Sequence, residues 1–266
     1  MKLAVGILAI GSLFWDPQKD ALHPEELGVR EAWWKSRLDK GAARSVTVPI
    51  RYGRLSSTRG DTYSMVFSAE PAASGCGKVI PCLNFVGNEQ DVKSEAEHLW
   101  AAERGVESPD TSLSSRWGAV GLLINWERSS EAKYVQDLEK IKGSWSVLIN
   151  QTAENRKHYQ KVATNNACIS KSGLLEIAWP KSTDGRPLEL DLILATANIP
   201  ALVGVPPTYP DTTKIANAWL RARKKYPAQN YEDYFWKNVT NGITTLQDEE
   251  IMRRLNDEVV VALNAL

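Results

Sequence analysis

Glu103 has the strongest case for acid–base chemistry in this sequence. A helix advances about 100° per residue, so Val92, Ala96, Leu99 and Glu103 fall within a narrow arc of the helix predicted over 91–104. The carboxylate therefore lies in the apolar stripe of that helix. Such a group must find a cation or hydrogen-bond donors, or hold its proton, and a carboxyl of this kind can serve as a general acid and base.

The competing interpretation of Glu103 is structural. The carboxylate then pairs with a buried arginine such as Arg51, Arg54 or Arg59, or caps a nearby backbone N–H. Geometry separates the two interpretations. Catalysis requires Glu103 to point into the same cavity as the turn at residues 11–13, with room for a small substrate between them.

Gly11, Ser12 and Leu13 form a candidate anion cradle. They follow an apolar run, residues 3–10, which is typical of a buried strand. A glycine turn after a strand can direct successive backbone N–H groups into one concavity that holds a carboxylate. The alternative is a plain strand-ending turn. Arg59 could add positive charge to the same pocket.

Other chemistries find no support in the motifs. The three cysteines and three histidines have neither disulfide nor metal-ligand spacing. Lipase-like, P-loop and dinucleotide-binding patterns are missing from the sequence. We therefore expect neither a metal nor a cofactor. The lack of disulfide spacing also favours a reducing compartment, so we expect the protein in the cytoplasm. The alternative is a signal peptide over the apolar run 3–15, although Gly6, Gly11 and Ser12 interrupt it.

Composition favours one globular domain over residues 1–266. Lys and Arg total 32, as do Asp and Glu, so the chain lacks the positive field of a nucleic-acid binder. No stretch reaches the roughly 18 apolar residues of a membrane span. With nucleic acid and membrane excluded as partners, we expect a small molecule as the partner. The oligomeric state stays open, with a homodimer among the options.

The pattern of elements predicts an α+β or mixed α/β fold with a helical C-terminal region over about 211–266. Periodicity and turn signals predict strands at 3–10, 45–52, 62–68, 78–86, 117–126, 173–179 and 188–195. They predict helices at 24–40, 91–104, 211–225, 231–241 and 245–266, with a helical excursion over 127–142. The strands at 45–52 and 62–68 should pair, and those at 173–179 and 188–195 should form a hairpin.

Four segments carry a resemblance to a known family. The first is 7–15, with Ile-Gly-Ser-Leu at 10–13, and the second is 51–60, which ends in Arg59-Gly60. The third is 99–106, around Glu103, and the fourth is 230–235. In order and spacing they resemble the γ-glutamylcyclotransferase-like family, especially the glutathione-degrading ChaC type. Two positions depart from the family pattern, since Ile10 replaces a tyrosine and Trp100 an aspartate. The range 107–166 has no counterpart and is interpreted as an insertion.

The resemblance implies a mixed β-barrel or sheet surrounded by helices, and a cofactor-free enzyme. It would release 5-oxoproline from a small γ-glutamyl amide. Glu103 would be the general acid and base, with Ile10, Gly11, Ser12, Leu13 and Arg59 binding the substrate. The alternative is a non-catalytic protein of the same fold that binds a small metabolite or serves in protein interactions.

The many tryptophans leave a further choice open. Trp15, Trp33, Trp34 and Trp100 all fall in the half that should build the pocket. Most should be core residues. If they line the pocket instead, they would grip an apolar or planar group on the amine side of a γ-glutamyl compound.

Overall fold

The computed structural model describes residues 2–19, 26–71, 73–107 and 112–264, with side chains up to residue 256. The strands within these ranges are β1 Val5–Ala9, β2 Arg44–Val48, β3 Ile50–Ser56, β4 Thr62–Phe67, β5 Gly75–Pro81, β6 Ser114–Ser115, β7 Gly118–Ile124, β8 Lys181–Ser182, β9 Leu192–Asn198 and β10 Thr244–Thr245. The helices there are α1 Val29–Arg37, α2 Glu89–Arg104, α3 Ala132–Ile149, α4 Ala153–Ala163, α5 Thr212–Lys225, α6 Asp233–Thr240 and α7 Asp248–Asn264.

The strands form one mixed sheet and one separate ribbon. The sheet has the order β6-β7-β9-β1-β5-β2-β8, with β10 paired to β5, and the ribbon consists of β3 and β4. β1 runs parallel to β9 and antiparallel to β5. The fold is thus α+β, as predicted, with an open sheet among the described strands rather than the barrel that the resemblance also allowed.

β1 lies in the middle of the sheet and confirms the strand predicted over 3–10. All five of its residues are buried, because β5 and β9 flank its edges and core side chains cover both faces. A continuous apolar run is what such a doubly covered strand requires. The chain leaves the sheet just after this strand, so the turn at Gly11 starts from the buried centre of the sheet.

α2 confirms the predicted helix that carries Glu103. Asn88 caps its first turn by accepting the N–H groups of Gln90 and Asp91. Gly105 ends it with φ of 69°, a left-handed conformation that glycine adopts at little cost. The helix packs on β7 and β9, and Glu103 lies in its last turn.

Proline divides one predicted strand into two. The segment 45–52 contains Pro49, which has no N–H to donate to a ladder. β2 before it joins the main sheet, and β3 after it turns away into the ribbon with β4. The predicted pairing of the second part with 62–68 is confirmed.

The predicted hairpin of 173–179 with 188–195 is wrong. Leu174 and Leu175 make only isolated bridges, so 173–179 is no regular strand. Lys181 and Ser182, between the two predicted strands, form β8, which pairs with β2 instead of β9. β9 is already flanked by β1 and β7, so both of its edges are occupied.

The remaining helix predictions agree with the structure apart from their ends. α1 covers the middle of the predicted segment 24–40, whose first two residues lie outside the described ranges. α5 and α6 match their predictions closely, and α3 starts later and runs longer than the predicted excursion. None of the helices described here has the length and apolar composition needed to cross a membrane.

The described part of the range 107–166 contributes two strands, β6 and β7, to the main sheet. β7 lies between β6 and β9, and α3 and α4 follow it. Because all residues of β7 are buried, at least this strand belongs to the core. Whether the rest of the range is an insertion into a single domain stays a prediction.

Asp248 forms part of a capping box at the start of α7. Its carboxylate accepts the Thr245 N–H at 3.1 Å and the Thr245 hydroxyl at 2.6 Å. The hydroxyl also accepts the N–H of Gln247 at 3.2 Å. Burial raises the pKa of Asp248 from 3.8 to about 6, although the bonds from Thr245 act in the opposite direction.

Asp248→Asn is expected to flatten the pH dependence of stability. A carboxyl whose pKa is higher in the folded than in the unfolded chain favours folding at low pH, and that contribution disappears as pH rises from about 4 to about 6. Between pH 4 and pH 7 the wild type should lose about 2–3 kcal/mol relative to the variant. Urea unfolding of both proteins at the two pH values measures this difference, and parallel pH profiles would contradict it.

Candidate active site

One cavity brings together all the site residues that the sequence predicted. Its volume is about 490 Å³. It lies where the end of β1, the end of α2 and the β3–β4 ribbon meet. The predicted residues that line it are Ile10, Gly11, Ser12, Leu13, Arg59 and Glu103.

The turn after β1 places its backbone at the cavity wall. The Phe14 N–H donates to Gly11 O at 3.0 Å, which closes the turn. A Cβ at position 11 would lie 2.6 Å from the Tyr234 hydroxyl, so only glycine allows this approach. Within the described part of the chain, no hydrogen bond occupies the N–H groups of Ser12 and Leu13. These donors are the candidate cradle for a carboxylate.

Glu103 is anchored by an arginine that the sequence analysis did not name. Its side chain is 19% exposed, and Oε2 lies 3.5 Å from Nη2 of Arg30. The Arg30 side chain is only 3% exposed. It donates from Nε to Ala102 O at 2.9 Å and from Nη1 to the Ser12 hydroxyl at 3.3 Å, and lies 3.7 Å from Asp16. One buried guanidinium therefore joins the turn to the end of α2.

The three arginines proposed as partners of Glu103 have other contacts. Arg51 pairs with Glu70 outside the cavity. Arg59 donates to the Ser12 hydroxyl at 2.9 Å, and Arg54 lines the cavity without an ion pair to Glu103 within 4 Å. Glu103 thus pairs with a buried arginine, as the structural interpretation expected, and that arginine is Arg30 rather than one of the three examples.

A sequence signal for Arg30 was present. Arg30, Trp33 and Trp34 are spaced i, i+3 and i+4, so the arginine lies on the apolar face of α1. This is the pattern that singled out Glu103 on α2. Because Arg30 and Glu103 carry opposite charges and each lies on the apolar face of its helix, the sequence already indicated that the two could form a pair.

Two arginines in the cavity wall lie over aromatic rings. The Arg59 guanidinium is 4.5 Å from the centre of the Tyr234 ring, and that of Arg54 is 4.5 Å from the Trp117 ring. Burial lowers the pKa of Arg54, the like charge of Arg59 lowers it further, and Glu103 opposes both. The pKa of Arg30 is lowered mainly by burial as well.

The tryptophans named from the sequence are largely core residues. Trp33, Trp34 and Trp100 are buried, and they do not line the cavity. Trp15 is half-buried and also lies outside the cavity lining. Trp117, which the sequence analysis did not single out, does line it, and its ring stacks on Trp100 at 4.9 Å.

Positive charge dominates the cavity wall. Among the residues that line it, one carboxylate, Glu103, faces four arginines: Arg30, Arg54, Arg59 and Arg104. A wall of this kind attracts anions, and its low-dielectric surroundings strengthen the attraction. The chemistry of this wall suits a small acidic molecule, whereas the alternative of an aromatic grip by the four tryptophans has no support, because none of them lines the cavity.

Metal ligation and similarity to known proteins add no further constraint. Within the described ranges, no group of three or more His, Cys, Asp or Glu side chains could hold a metal ion. Comparisons of the chain with models of protein families, with curated proteins and with solved structures found no match.

Proposed function

We propose that this chain is a γ-glutamylcyclotransferase-like enzyme that releases 5-oxoproline from a small γ-glutamyl amide. The observation that supports this most is that Glu103 lies in the same cavity as the turn of Gly11, Ser12 and Leu13. Arg59, on the loop of the ribbon, lies there too. Membership of the family and its fold are part of the proposal.

The cavity can perform the three tasks of the reaction. N–H groups of the turn and Arg59 hold the α-carboxylate of the substrate. Glu103 takes a proton from the α-ammonium, and the freed amine attacks the γ-carbonyl carbon. The new C–N bond closes the five-membered ring as the old amide C–N bond breaks. Glu103 then gives its proton to the leaving nitrogen and takes the extra proton of the new ring nitrogen, which also passes to the released amine, so the step needs no other reactant.

Arg30 gives this scheme its geometry. It contacts Glu103 at 3.5 Å and donates to the Ser12 hydroxyl at 3.3 Å. The base and the carboxylate cradle are therefore held by the same buried group. Ring closure depends on the fixed distance between the base and the carboxylate cradle, because the amine and carbonyl of one bound substrate must be aligned.

A second candidate is a non-catalytic protein that binds a small acidic metabolite. The Arg30 contact favours it, because that arginine occupies one oxygen of Glu103. Ile10, at the position of the family's tyrosine, presents an aliphatic side chain to the cavity. Both candidates need the same anion-binding wall, and only turnover separates them.

The deciding experiment measures 5-oxoproline release by the wild type from a panel of γ-glutamyl compounds. The panel includes glutathione, γ-glutamyl amino acids and neutral γ-glutamyl amides. Chromatographic detection of 5-oxoproline and the free amine in equal amounts is the expected result. Binding of these compounds without any release of product would favour the second candidate.

The proposal also places the protein in the cytoplasm. Cys76, Cys82 and Cys168 all carry free thiols, which suits a reducing compartment. Burial raises the pKa of the Cys168 thiol to about 11 and that of Cys82 still further. These two cysteines are therefore structural residues and take no part in the proposed chemistry.

A further inference from the structure

The turn after β1 directs its carbonyls and its free N–H groups in opposite directions. Gly11 O accepts the Phe14 N–H at 3.0 Å. Ser12 O accepts the Trp15 N–H at 3.2 Å. In a planar trans peptide the C=O and N–H of one unit point opposite ways. The two bonds therefore point the N–H groups of Ser12 and Leu13 away from the turn, and both residues line the cavity.

The next two carbonyls of the turn are held by side chains from another part of the chain. Leu13 O accepts the indole N–H of Trp34 at 3.1 Å. Phe14 O accepts a hydrogen bond from Nζ of Lys40 at 2.8 Å. These two carbonyls belong to the same peptide units as the N–H groups that close the turn. The two side chains thus fix the donors that orient the free N–H groups.

Lys40 and Trp34 pack on each other at this turn. Nζ of Lys40 lies 3.5 Å from the centre of the Trp34 ring and 4.8 Å from that of Phe14. Trp34 is buried and Lys40 is half-buried. Burial lowers the pKa of Lys40, and the charge of Glu31 opposes this, although Glu31 itself pairs with Lys35 at 3.0 Å. The ammonium is therefore partly withdrawn from water and directed at the turn.

We infer that Lys40 and Trp34 are positioning residues of the carboxylate cradle, which hold the turn in the shape that presents the N–H groups of Ser12 and Leu13. This inference rests on the proposed function and adds two residues that lie outside the cavity lining. A single turn is marginal by itself, because few hydrogen bonds offset the ordering of its residues. Donors that are fixed before the anion arrives bind it more tightly than donors that must first be ordered.

The inference is tested with two ligands that differ by one group. They are 5-oxoproline and 5-oxoprolinamide, a carboxylate against a neutral amide, and neither is a substrate of the proposed reaction. NMR titration of the wild type, which also covers weak binding, should show the acid bound at least about 10-fold more tightly. Lys40→Met keeps much of the aliphatic stem but removes the ammonium. It should weaken binding of the acid about 5–10-fold and leave that of the amide within about twofold.

Three further variants separate the hydrogen bonds from the charge. Lys78 also lies over the Phe14 ring, at 5.7 Å, but its ammonium donates to Ser45 Oγ at 2.8 Å. Lys78→Met should therefore leave the affinity for the acid within about twofold. Trp34→Phe removes no charge and should still weaken the acid by a few fold. Lys40→Arg keeps a charge and N–H donors and should recover most of the affinity. Thermal melting confirms that each variant is folded.

The positioning role and the proposed function can fail separately. Unchanged affinity for the acid in both Lys40→Met and Trp34→Phe, equal loss of both ligands, or an equal loss of the acid in Lys78→Met would overturn the positioning role. A wild type that binds neither ligand would overturn it as well. If the wild type releases no 5-oxoproline but binds the acid in a Lys40-dependent way, the cyclotransferase proposal fails and the positioning role stands as part of a binding protein.

Discussion

Glu103→Gln is expected to lower 5-oxoproline release by at least about 10²–10⁴-fold, the usual contribution of a positioned general acid and base. The amide has nearly the size of the carboxyl but cannot take a proton from the α-ammonium. Glu103 contacts Arg30 at 3.5 Å and is partly exposed to the cavity. The substitution therefore removes proton transfer and leaves the cavity wall in place.

The measurement is kcat and KM for the best compound of the panel, together with the melting temperature. Glu97→Gln is the matched control, because this residue lies on the same helix and pairs with Lys93 at 3.7 Å, outside the cavity. It should keep wild-type kcat. A Glu103→Gln enzyme that retained wild-type kcat would show that another group carries the proton.

The sequence predicted the local part of this site because local signals determine it. The periodicity of α2 placed Glu103 on the buried face, and Gly105 set the end of the helix. The apolar run of β1 followed by Gly11 defined the turn. Each of these features depends on residues close together in sequence, where the period of apolar residues and the position of glycine predict local structure reliably.

The rest of the site depends on chain segments far apart in sequence. Arg30 contacts Ser12 and Glu103, which lie 18 and 73 positions away in sequence. Thr196, which also lines the cavity, lies on β9. No periodicity within one element specifies which elements become neighbours. The false hairpin before β9 had a related origin, since the range 173–179 forms no regular strand and β9 pairs with β7 and β1, which are distant in sequence.

Trp100 supports the cavity wall from behind. It is buried and stacks on Trp117, which in turn lies against Arg54. The position of this wall therefore depends on aromatic packing between α2 and the start of β7.

Arg30→Met is expected to destabilise the fold by about 3–5 kcal/mol, the cost of breaking a buried ion pair. The arginine is 3% exposed and is the donor to Ala102 O and to the Ser12 hydroxyl. Its loss leaves Glu103 and Asp16 without their cation. Urea unfolding measures the change. Lys35→Met on the same helix is the control, and should change stability by less than about 1 kcal/mol because Lys35 is exposed.

Combining Arg30→Met with Glu103→Gln tests whether the two residues act as a unit. If the lost ion pair accounts for much of the cost, Arg30→Met should destabilise the Glu103→Gln protein by about 1–3 kcal/mol less than it destabilises the wild type. An equal cost in both backgrounds would assign the role of Arg30 to Ala102 and Ser12 alone. A cost below about 1 kcal/mol in the wild type would contradict its role as the anchor. Coupling would mean that the fold itself holds the base against the carboxylate cradle, so that one buried guanidinium sets both stability and the alignment needed for ring closure.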